Sequence, residues 1–581
     1  MGLEELLLTV QKPARYIGGE WNSVRKEWKP DRVKFLLAFP DTYEVGMSHL
    51  GMKILYGILN ERDDCLCERV FSPWSDLEDA LRKNDIRLFS LESRRPIKDF
   101  DLIGFSVTYE LSYTNILNIL DLGGIPKRSS ERTDDDPIVI AGGPSCYNPE
   151  PIAEFIDAFF IGEAEEAVGE IVEAYKSSRS TVHSPQSTVR GSRRAILREL
   201  AKIEGVYVPE FYGVEYNPDG TIKRFFPKED TVPPRIRKRV VEDLENAFYP
   251  TKQIVPYISV VHDRITIEIM RGCKHACKFC QACAIYRPCR ERSREKVLEL
   301  ARETYRNTGY DEISLLSLSS GDHSGIKDII AGLNSLFKDK AVSVSVPSLR
   351  VEDILKDLPS LISEVKKAGL TFAPEAGSEA LRKAMNKDID IEKLFRAVSE
   401  AFRAGWRRVK LYFMIGLPSE TDGDLLAIAG IIRKISDLKR AVDGRPAEVK
   451  ASINAFVPKP HTFLQREPMD EMKTIGEKQK RLAAEARSKR TELDFHSLEM
   501  SYLEAALSRG SRKLSGVIYE AWAGGGRFDA WRDRFDLRRW LDSFKKNGVD
   551  PHFYVSRKMA PDEILPWDFI DIGFKKDRVP Q

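Results

Sequence analysis

Two separate blocks of this chain alternate short, continuous apolar runs with longer amphipathic stretches, and this alternation restricts the fold more than any other feature. In the first block the apolar runs are Val33–Phe39, Leu102–Val107, Pro137–Ala141 and Ala158–Ile161, and Gly51–Leu59, Tyr113–Leu122 and Ala164–Tyr175 carry helical periodicity. Runs without polar alternation suit strands buried on both faces, as in parallel sheets joined by helices. The second block has a longer period. Its strand candidates are Ile265–Met270, Glu312–Leu318, Val342–Val346, Leu370–Ala373, Arg408–Met414 and Val449–Phe456. Helix candidates between them are Arg294–Asn307, Gly325–Phe337, Val351–Lys367, Ile391–Ala404 and Asp422–Leu438. The expected fold class is therefore α/β, with a Rossmann-like (flavodoxin-like) domain at 33–175 and a partial (β/α)6 barrel of the TIM type at 259–465. Both architectures bind ligands beyond the carboxyl ends of their strands.

The remaining segments divide naturally around these blocks. Residues 1–32 form an amino-terminal extension. Residues 176–258 hold a serine-rich, basic linker (176–194) and a hairpin-like stretch, Val206–Phe226, centred on Asn217-Pro-Asp-Gly220. Residues 466–581 are strongly charged and read as a helical carboxyl-terminal domain.

At 581 residues the chain exceeds what one hydrophobic core supports. A net charge of +2 supplies no global field for nucleic acid or a membrane surface. No apolar run approaches the roughly 20 residues needed to span a bilayer. The acidic start Met-Gly-Leu-Glu-Glu is unlike a signal peptide, so a cytoplasmic protein without a membrane partner is expected. Five of the eight cysteines fall between 273 and 289, which suits a metal site in a reducing compartment.

Cys273, Cys277 and Cys280 follow the first barrel strand with the spacing C-x3-C-x2-C, and Phe279 precedes the last of them. Three thiolates are one short of a closed [4Fe–4S] set, leaving one iron open to a ligand. The competing reading is a zinc knuckle completed by Cys283, Cys289 or His275. Further runs sit behind successive strands: Ser319-Ser-Gly-Asp322, Ser348-Leu-Arg350, Ala373-Pro-Glu-Ala-Gly-Ser378, Gly416-Leu-Pro-Ser-Glu-Thr421 and Asn454-Ala-Phe-Val-Pro-Lys-Pro-His461. Singly they are ordinary; Gly-Leu-Pro is a common turn, and Glu375 alone suits a helix start. Their order behind a cysteine triad makes them specific.

Together these runs resemble the radical S-adenosylmethionine (SAM) superfamily. The resemblance implies a [4Fe–4S] cluster on Cys273, Cys277 and Cys280, with SAM chelating the open iron and cleaved to a 5′-deoxyadenosyl radical. It implies SAM contacts from Phe279, from Ser320, Gly321 and Asp322 at the methionyl amine, and from Ser348 and Arg350 at a carboxylate. Glu375 would meet the ribose, and Gly416, Pro418 and Val457 the adenine side, as in the methylthiotransferase and Elongator-like branch. Candidate catalytic groups are Cys283, Tyr286 and His323. An electron donor such as flavodoxin or ferredoxin is also implied.

The first domain resembles the cobalamin-binding domain that precedes the barrel in one radical SAM class. Candidate contacts are Thr42, Ser106, Thr108, Tyr109, Gly142, Gly143, Gly162 and Glu163, where glycines at strand ends let backbone approach a macrocycle. The lower-ligand motif Asp-x-His-x-x-Gly is absent: His49 has Met47 before it and Leu50-Gly51 after it, and reads as a helix residue. A flavodoxin-like sheet without cofactor is the competing reading. Tyr43–Gly51, Phe71-Ser-Pro-Trp74, Asn148-Pro-Glu-Pro151 and Pro566-Trp-Asp568 extend the likeness to a family of fused cobalamin-domain radical SAM proteins. The function so implied is methyl transfer to an unactivated carbon of an unknown substrate, a small molecule or RNA. Alternatives are a non-methylating radical cyclisation, rearrangement or oxidation, an RNA-modifying relative of the methylthiotransferases, and an electron carrier.

Overall fold

Strand β1 (Val33–Phe39) is buried at every position, as its unbroken apolar run requires. Its parallel partner β2 (Cys65–Phe71) is equally buried and pairs with it from Val33↔Cys65 to Phe39↔Phe71. The structure is a computed structural model and describes residues 2–180, 192–346, 370–387, 389–486 and 490–573. In the first sheet the order is β2-β1-β3-β4-β5-β6, with β3 (Leu102–Ser106), β4 (Ile138–Gly142), β5 (Ala158–Phe160) and the antiparallel edge β6 (Val206–Tyr207). The chain leaves β1 to opposite sides for β2 and β3, which opens a crevice at their carboxyl ends.

Strand β2 is absent from the sequence reading because Glu68 and Arg69 interrupt its apolar pattern. Both are buried, and each is matched. Arg69 Nη2 lies 2.8 Å from Glu20 and Nε 2.6 Å from Glu92. Glu68 accepts hydrogen bonds from the Ser93 hydroxyl (2.7 Å) and backbone N–H (3.2 Å). A buried charge persists only when so paired.

Between the domains, β7 (Tyr212–Tyr216) and β8 (Ile222–Pro227) form the antiparallel hairpin around Asn217–Gly220. The start of the expected hairpin, Val206–Tyr207, joins the first sheet instead. The short β9 (Ile236–Arg237) pairs with a strand near the carboxyl terminus, Ile570–Asp571.

The second block is a parallel barrel wall. Strands β10 (Ile265–Glu268), β13 (Glu312–Leu316) and β14 (Ser343–Ser345) form one sheet. Strands β15 (Leu370–Glu375), β16 (Arg408–Ile415), β17 (Glu448–Ala455) and β18 (Thr491–Phe495) form another. The helix expected at Val351–Lys367 lies outside the described residues. An antiparallel clip, β11 (Met270–Arg271) with β12 (Arg290–Glu291), closes the base of the cysteine loop. Strand β18 adds one strand to the six expected and falls where the sequence reads as helical. It is an edge strand with no fully buried position, and Thr-Glu-Leu-Asp-Phe carries too little apolar signal to announce itself.

Beyond β18 the helices Leu498–Ser508 and Leu514–Ala523 dock on the first domain, and Leu537–Lys546 packs on those two helices. Asn148 Nδ2 donates to the carbonyls of Ser508 and Gly510, both at 2.9 Å, and Thr114 donates to Asp529 at 2.7 Å. Trp74 packs against Phe528, with ring centroids 4.8 Å apart. Among the described residues no helix is long and apolar enough to cross a membrane. Replacing Arg69 by Ala strands Glu20 and Glu92 as buried, uncompensated carboxylates, and we expect a loss of about 3 to 5 kcal/mol, read as a lower thermal unfolding midpoint.

Candidate active site

Gly272 makes the cysteine loop possible. Its φ is +88°, and a Cβ there would lie 2.7 Å from the Pro288 carbonyl oxygen and 2.8 Å from that of Tyr286. Only glycine fits both the left-handed backbone and the close approach. The loop then carries Cys273, buried, and Cys277 and Cys280, half-buried. Cys283 follows in the one-turn helix Gln281–Ile285 and is also buried. It lines one small cavity with Cys277 and Cys280, where the cysteine thiols can share hydrogen bonds.

These contacts lower the thiol pKa values of the triad, to about 6 for Cys273 and about 7 for Cys277. In each case the Cys283 hydrogen bond outweighs the opposing effect of burial. Cys280 is lowered by the same contact, whereas those three hydrogen bonds raise Cys283. Soft sulfur donors that become thiolates near neutral pH fit an iron–sulfur cluster. Among the described residues no three His, Cys, Asp or Glu side chains surround a position for a single metal ion.

Strand ends from across the barrel hold this loop. The turn Ser320–Asp322 follows β13; Ser320 is buried with its hydroxyl 2.9 Å from that of Ser317, and Gly321 lies between it and Asp322. The Asp322 carboxylate lies 2.7 Å from the His275 ring, and Lys274 Nζ donates to the Asp322 carbonyl at 2.7 Å. Lys278 N–H donates to the Met385 carbonyl, and Asn386 Nδ2 to that of Ala276, both at 3.0 Å. Phe279 packs against Ala376, Leu417 and Phe456, so one apolar cluster joins the cysteine loop to the ends of β15, β16 and β17. Glu375 occupies left-handed backbone at φ +67° beside an irregularity in β15, its carboxylate 3.5 Å from Lys387. Burial raises its pKa, with Lys387 opposing. Ser419 and His461 are also left-handed, at φ +67° and +64°, so strained backbone gathers at this face. Gly416 N–H donates to Glu420 at 2.8 Å within the turn that holds Pro418. Val457 packs on the main core. Ser348 and Arg350 lie outside the described residues.

A cavity of about 430 Å³ separates this face from the first sheet. Ser106, Gly142, Gly143, Gly162 and Glu163 line one wall, and Thr266, Glu268, Arg271 and Tyr286 the other. Behind them an apolar slot runs between Phe35, Leu37 and Ile140 of the sheet and Ile54, Val168 and Ile171 of its helices. Ion pairs bridge the two walls. Arg271 reaches Glu163 (3.2 Å), Glu165 (2.6 Å) and Glu268 (2.8 Å), and Arg290 binds both oxygens of Glu163 at 2.7 Å. Burial would raise the Glu163 pKa, but the two guanidinium groups hold it low. Lys238, depressed to about 8 by burial, donates to the carbonyls of Ile285 (2.9 Å) and Arg287 (2.6 Å), either side of Tyr286.

Residues 267–431, which hold the triad, match the family model of the radical SAM superfamily, and residues 51–209 match that of radical SAM proteins, N-terminal. This chain contains a radical SAM domain. It is accordingly a radical SAM enzyme, a class that uses a [4Fe–4S] cluster with SAM. The chain is 28% identical over 516 residues to uncharacterized protein MJ0966 of Methanocaldococcus jannaschii, covering 88% of this chain and 97% of that one. Its fold is similar to that of the cobalamin-dependent S-adenosylmethionine radical enzyme OxsB with aqua-cobalamin bound, at TM-score 0.47 and 13% identity, covering 89% and 72% of the two chains. It is also similar to the radical S-adenosylmethionine methyltransferase TsrM from Kitasatospora setae with cobalamin and [4Fe–4S] cluster bound, at TM-score 0.44 and 14% identity, covering 73% and 75%.

Several residues singled out from the sequence take other roles around the radical SAM domain. Thr42, Thr108 and Tyr109 do not line the cavity. Thr42 is buried, and the Tyr109 hydroxyl donates at 2.8 Å to Glu504 in the helix Leu498–Ser508. At His323, Gly325 N–H donates to Nδ1 at 3.0 Å, so Nε2 bears the hydrogen and donates it to the Arg292 carbonyl at 2.9 Å. Both ring nitrogens serve the backbone. His49, read as a helix residue, immediately precedes the helix Leu50–Glu61 and lines the cavity. Burial lowers its pKa to about 4, and its Nδ1 has no partner among the described residues. Gly272→Ala should prevent the loop from closing; reconstituted protein should carry far less iron and sulfide than wild type, with little change in far-UV circular dichroism.

Proposed function

We propose that this radical SAM enzyme binds cobalamin in the cavity between its two α/β domains and transfers a methyl group to an unactivated carbon. The cavity carries the reading. It has one wall at the carboxyl ends of the first sheet and the other beside the cysteine loop, with Tyr286 three residues beyond Cys283. At Gly143, whose φ is +114°, a Cβ would meet the Val107 carbonyl oxygen at 2.6 Å, so backbone alone lines that stretch of wall. The apolar slot suits a heterocyclic tail, and His49, whose buried Nδ1 has no partner among the described residues, lines the same cavity. Bound together, the cluster with SAM would supply a 5′-deoxyadenosyl radical and cobalamin the methyl group.

The chain's own residues then position and exclude. Arg271 and Arg290 hold the two walls at fixed spacing. Tyr286, whose pKa burial raises, stays protonated and presents its ring to the cavity. The largely apolar lining limits water near a reactive radical. A reductant such as flavodoxin or ferredoxin and a small-molecule or RNA substrate complete the reading.

Anaerobic protein mixed with hydroxocobalamin and desalted should retain about one corrin per chain, by absorbance. Gly143→Val should lose most of that corrin while keeping its iron; retention of corrin by the variant, or none in wild type, refutes the cavity assignment. Assays with reductant and a genuine substrate should release both S-adenosylhomocysteine and 5′-deoxyadenosine. Release of 5′-deoxyadenosine alone identifies a non-methylating radical reaction.

A further inference from the structure

A second cavity, of about 330 Å³, lies where the amino-terminal extension, the helix Leu50–Glu61 and the segment 248–254 before β10 meet. It shares no lining residue with the cavity between the domains. Lys53, Tyr56 and Asn60 line it from one face of the helix. Most polar groups of the lining already have partners. Asn60 exchanges hydrogen bonds with the Cys67 backbone at 3.0 and 3.1 Å, and the Tyr56 hydroxyl accepts from the Val24 N–H at 2.8 Å. Asn22 Nδ2 donates to the carbonyls of Gln253 (2.9 Å) and Asn307 (3.0 Å). Gln253 Nε2 donates to the Tyr249 hydroxyl at 2.8 Å, which donates to the Thr266 carbonyl in β10 at 2.7 Å. Lys53 is the exception. It is only 9% exposed, its Nζ reaches the neutral Gln253 Oε1 at 3.3 Å, and it has no ion pair among the described residues. The other charged residues of the lining, Glu61 and Lys252, are exposed.

An ammonium in this position lacks the counter-charge that burial demands. One long contact to an amide oxygen leaves most of its donor capacity unused. Burial lowers its pKa to about 8, with Asp263 opposing from beyond ion-pair distance, so the charged form still prevails at neutral pH. The cavity offers an anion room and an apolar surround, since Val24, Phe248, Pro250 and Ile254 complete its lining. Its volume falls within the roughly 300–1,000 Å³ of small-molecule sites. One buried cation balances one negative charge; a phosphate dianion would leave charge unmatched. We propose that this cavity binds a small organic monocarboxylate, its carboxylate on Lys53 Nζ and its apolar body against Val24, Phe248 and Ile254. Leu50, Ile54 and Leu55 of the same helix line the larger cavity, so the acid binds against the helix that borders both.

Isothermal titration calorimetry on the full-length protein at neutral pH tests this with benzoate, phenylacetate and indole-3-acetate, each beside its neutral amide, and with inorganic phosphate. At least one acid should bind once per chain with a Kd below about 1 mM, and at least about tenfold more tightly than its amide and than phosphate. Lys53→Met should weaken that binding by about tenfold or more while keeping the wild-type unfolding midpoint. Val24→Trp, which fills the cavity and leaves Lys53 in place, should weaken it as well. The comparison of acid with amide needs no variant and decides the matter even where a variant fails to fold. The proposal is overturned by no acid binding below about 1 mM, by equal affinity for acid and amide, by tighter binding of phosphate, or by undiminished binding in either folded variant.

Discussion

The arginine–glutamate bridge across the cavity is the contact on which the arrangement of both candidate cofactor sites depends. Arg271 stands two residues before Cys273, and Glu163 and Glu165 stand at the end of β5 in the first domain. The side chains of Arg271, Arg290, Glu163 and Glu165 are each no more than 10% exposed. Charges so nearly removed from water need partners, which makes separation of the walls costly. Any displacement of the first domain's crevice is therefore felt directly at the base of the cysteine loop. Glu268, in β10 of the barrel, completes the group and ties Arg271 to its own sheet.

The cysteine loop shows the same economy on a smaller scale. A glycine permits the turn, a two-residue clip closes its base, and side chains from three other strand ends fix its crest. Little of this depends on the thiols themselves. The scaffold that presents sulfur is built by backbone hydrogen bonds and apolar contacts, leaving the cysteines free to serve as donors.

Much of the architecture was legible because parallel strands buried on both faces leave unbroken apolar runs. Two of the strands that escaped notice break that rule in opposite ways. In β2, Glu68 and Arg69 place charge inside the core, which becomes tolerable only through Glu20, Glu92 and Ser93, residues distant in sequence. In β18 the strand lies at an edge and needs no apolar run. The candidate site follows a similar division. Residues at strand ends were identified from local motifs, whereas His49, Arg271 and Glu268 meet at the cavity only through tertiary packing. His323 lies near the cysteine loop as well, and there two backbone groups occupy its nitrogens.

The docking of the last helices on the first domain has a consequence for biosynthesis. Trp74 packs on Phe528, Asn115 accepts from the Phe528 N–H at 2.8 Å, and Glu150 binds Arg512 through both oxygens at 3.0 Å. These partners leave the ribosome some 360 residues or more after the groups they satisfy. A domain that emerges first ordinarily folds first. Here the first sheet can assemble early, but its surface polar groups are finished only by the final fifth of the chain, so the order of translation and the order of completion run in opposite directions.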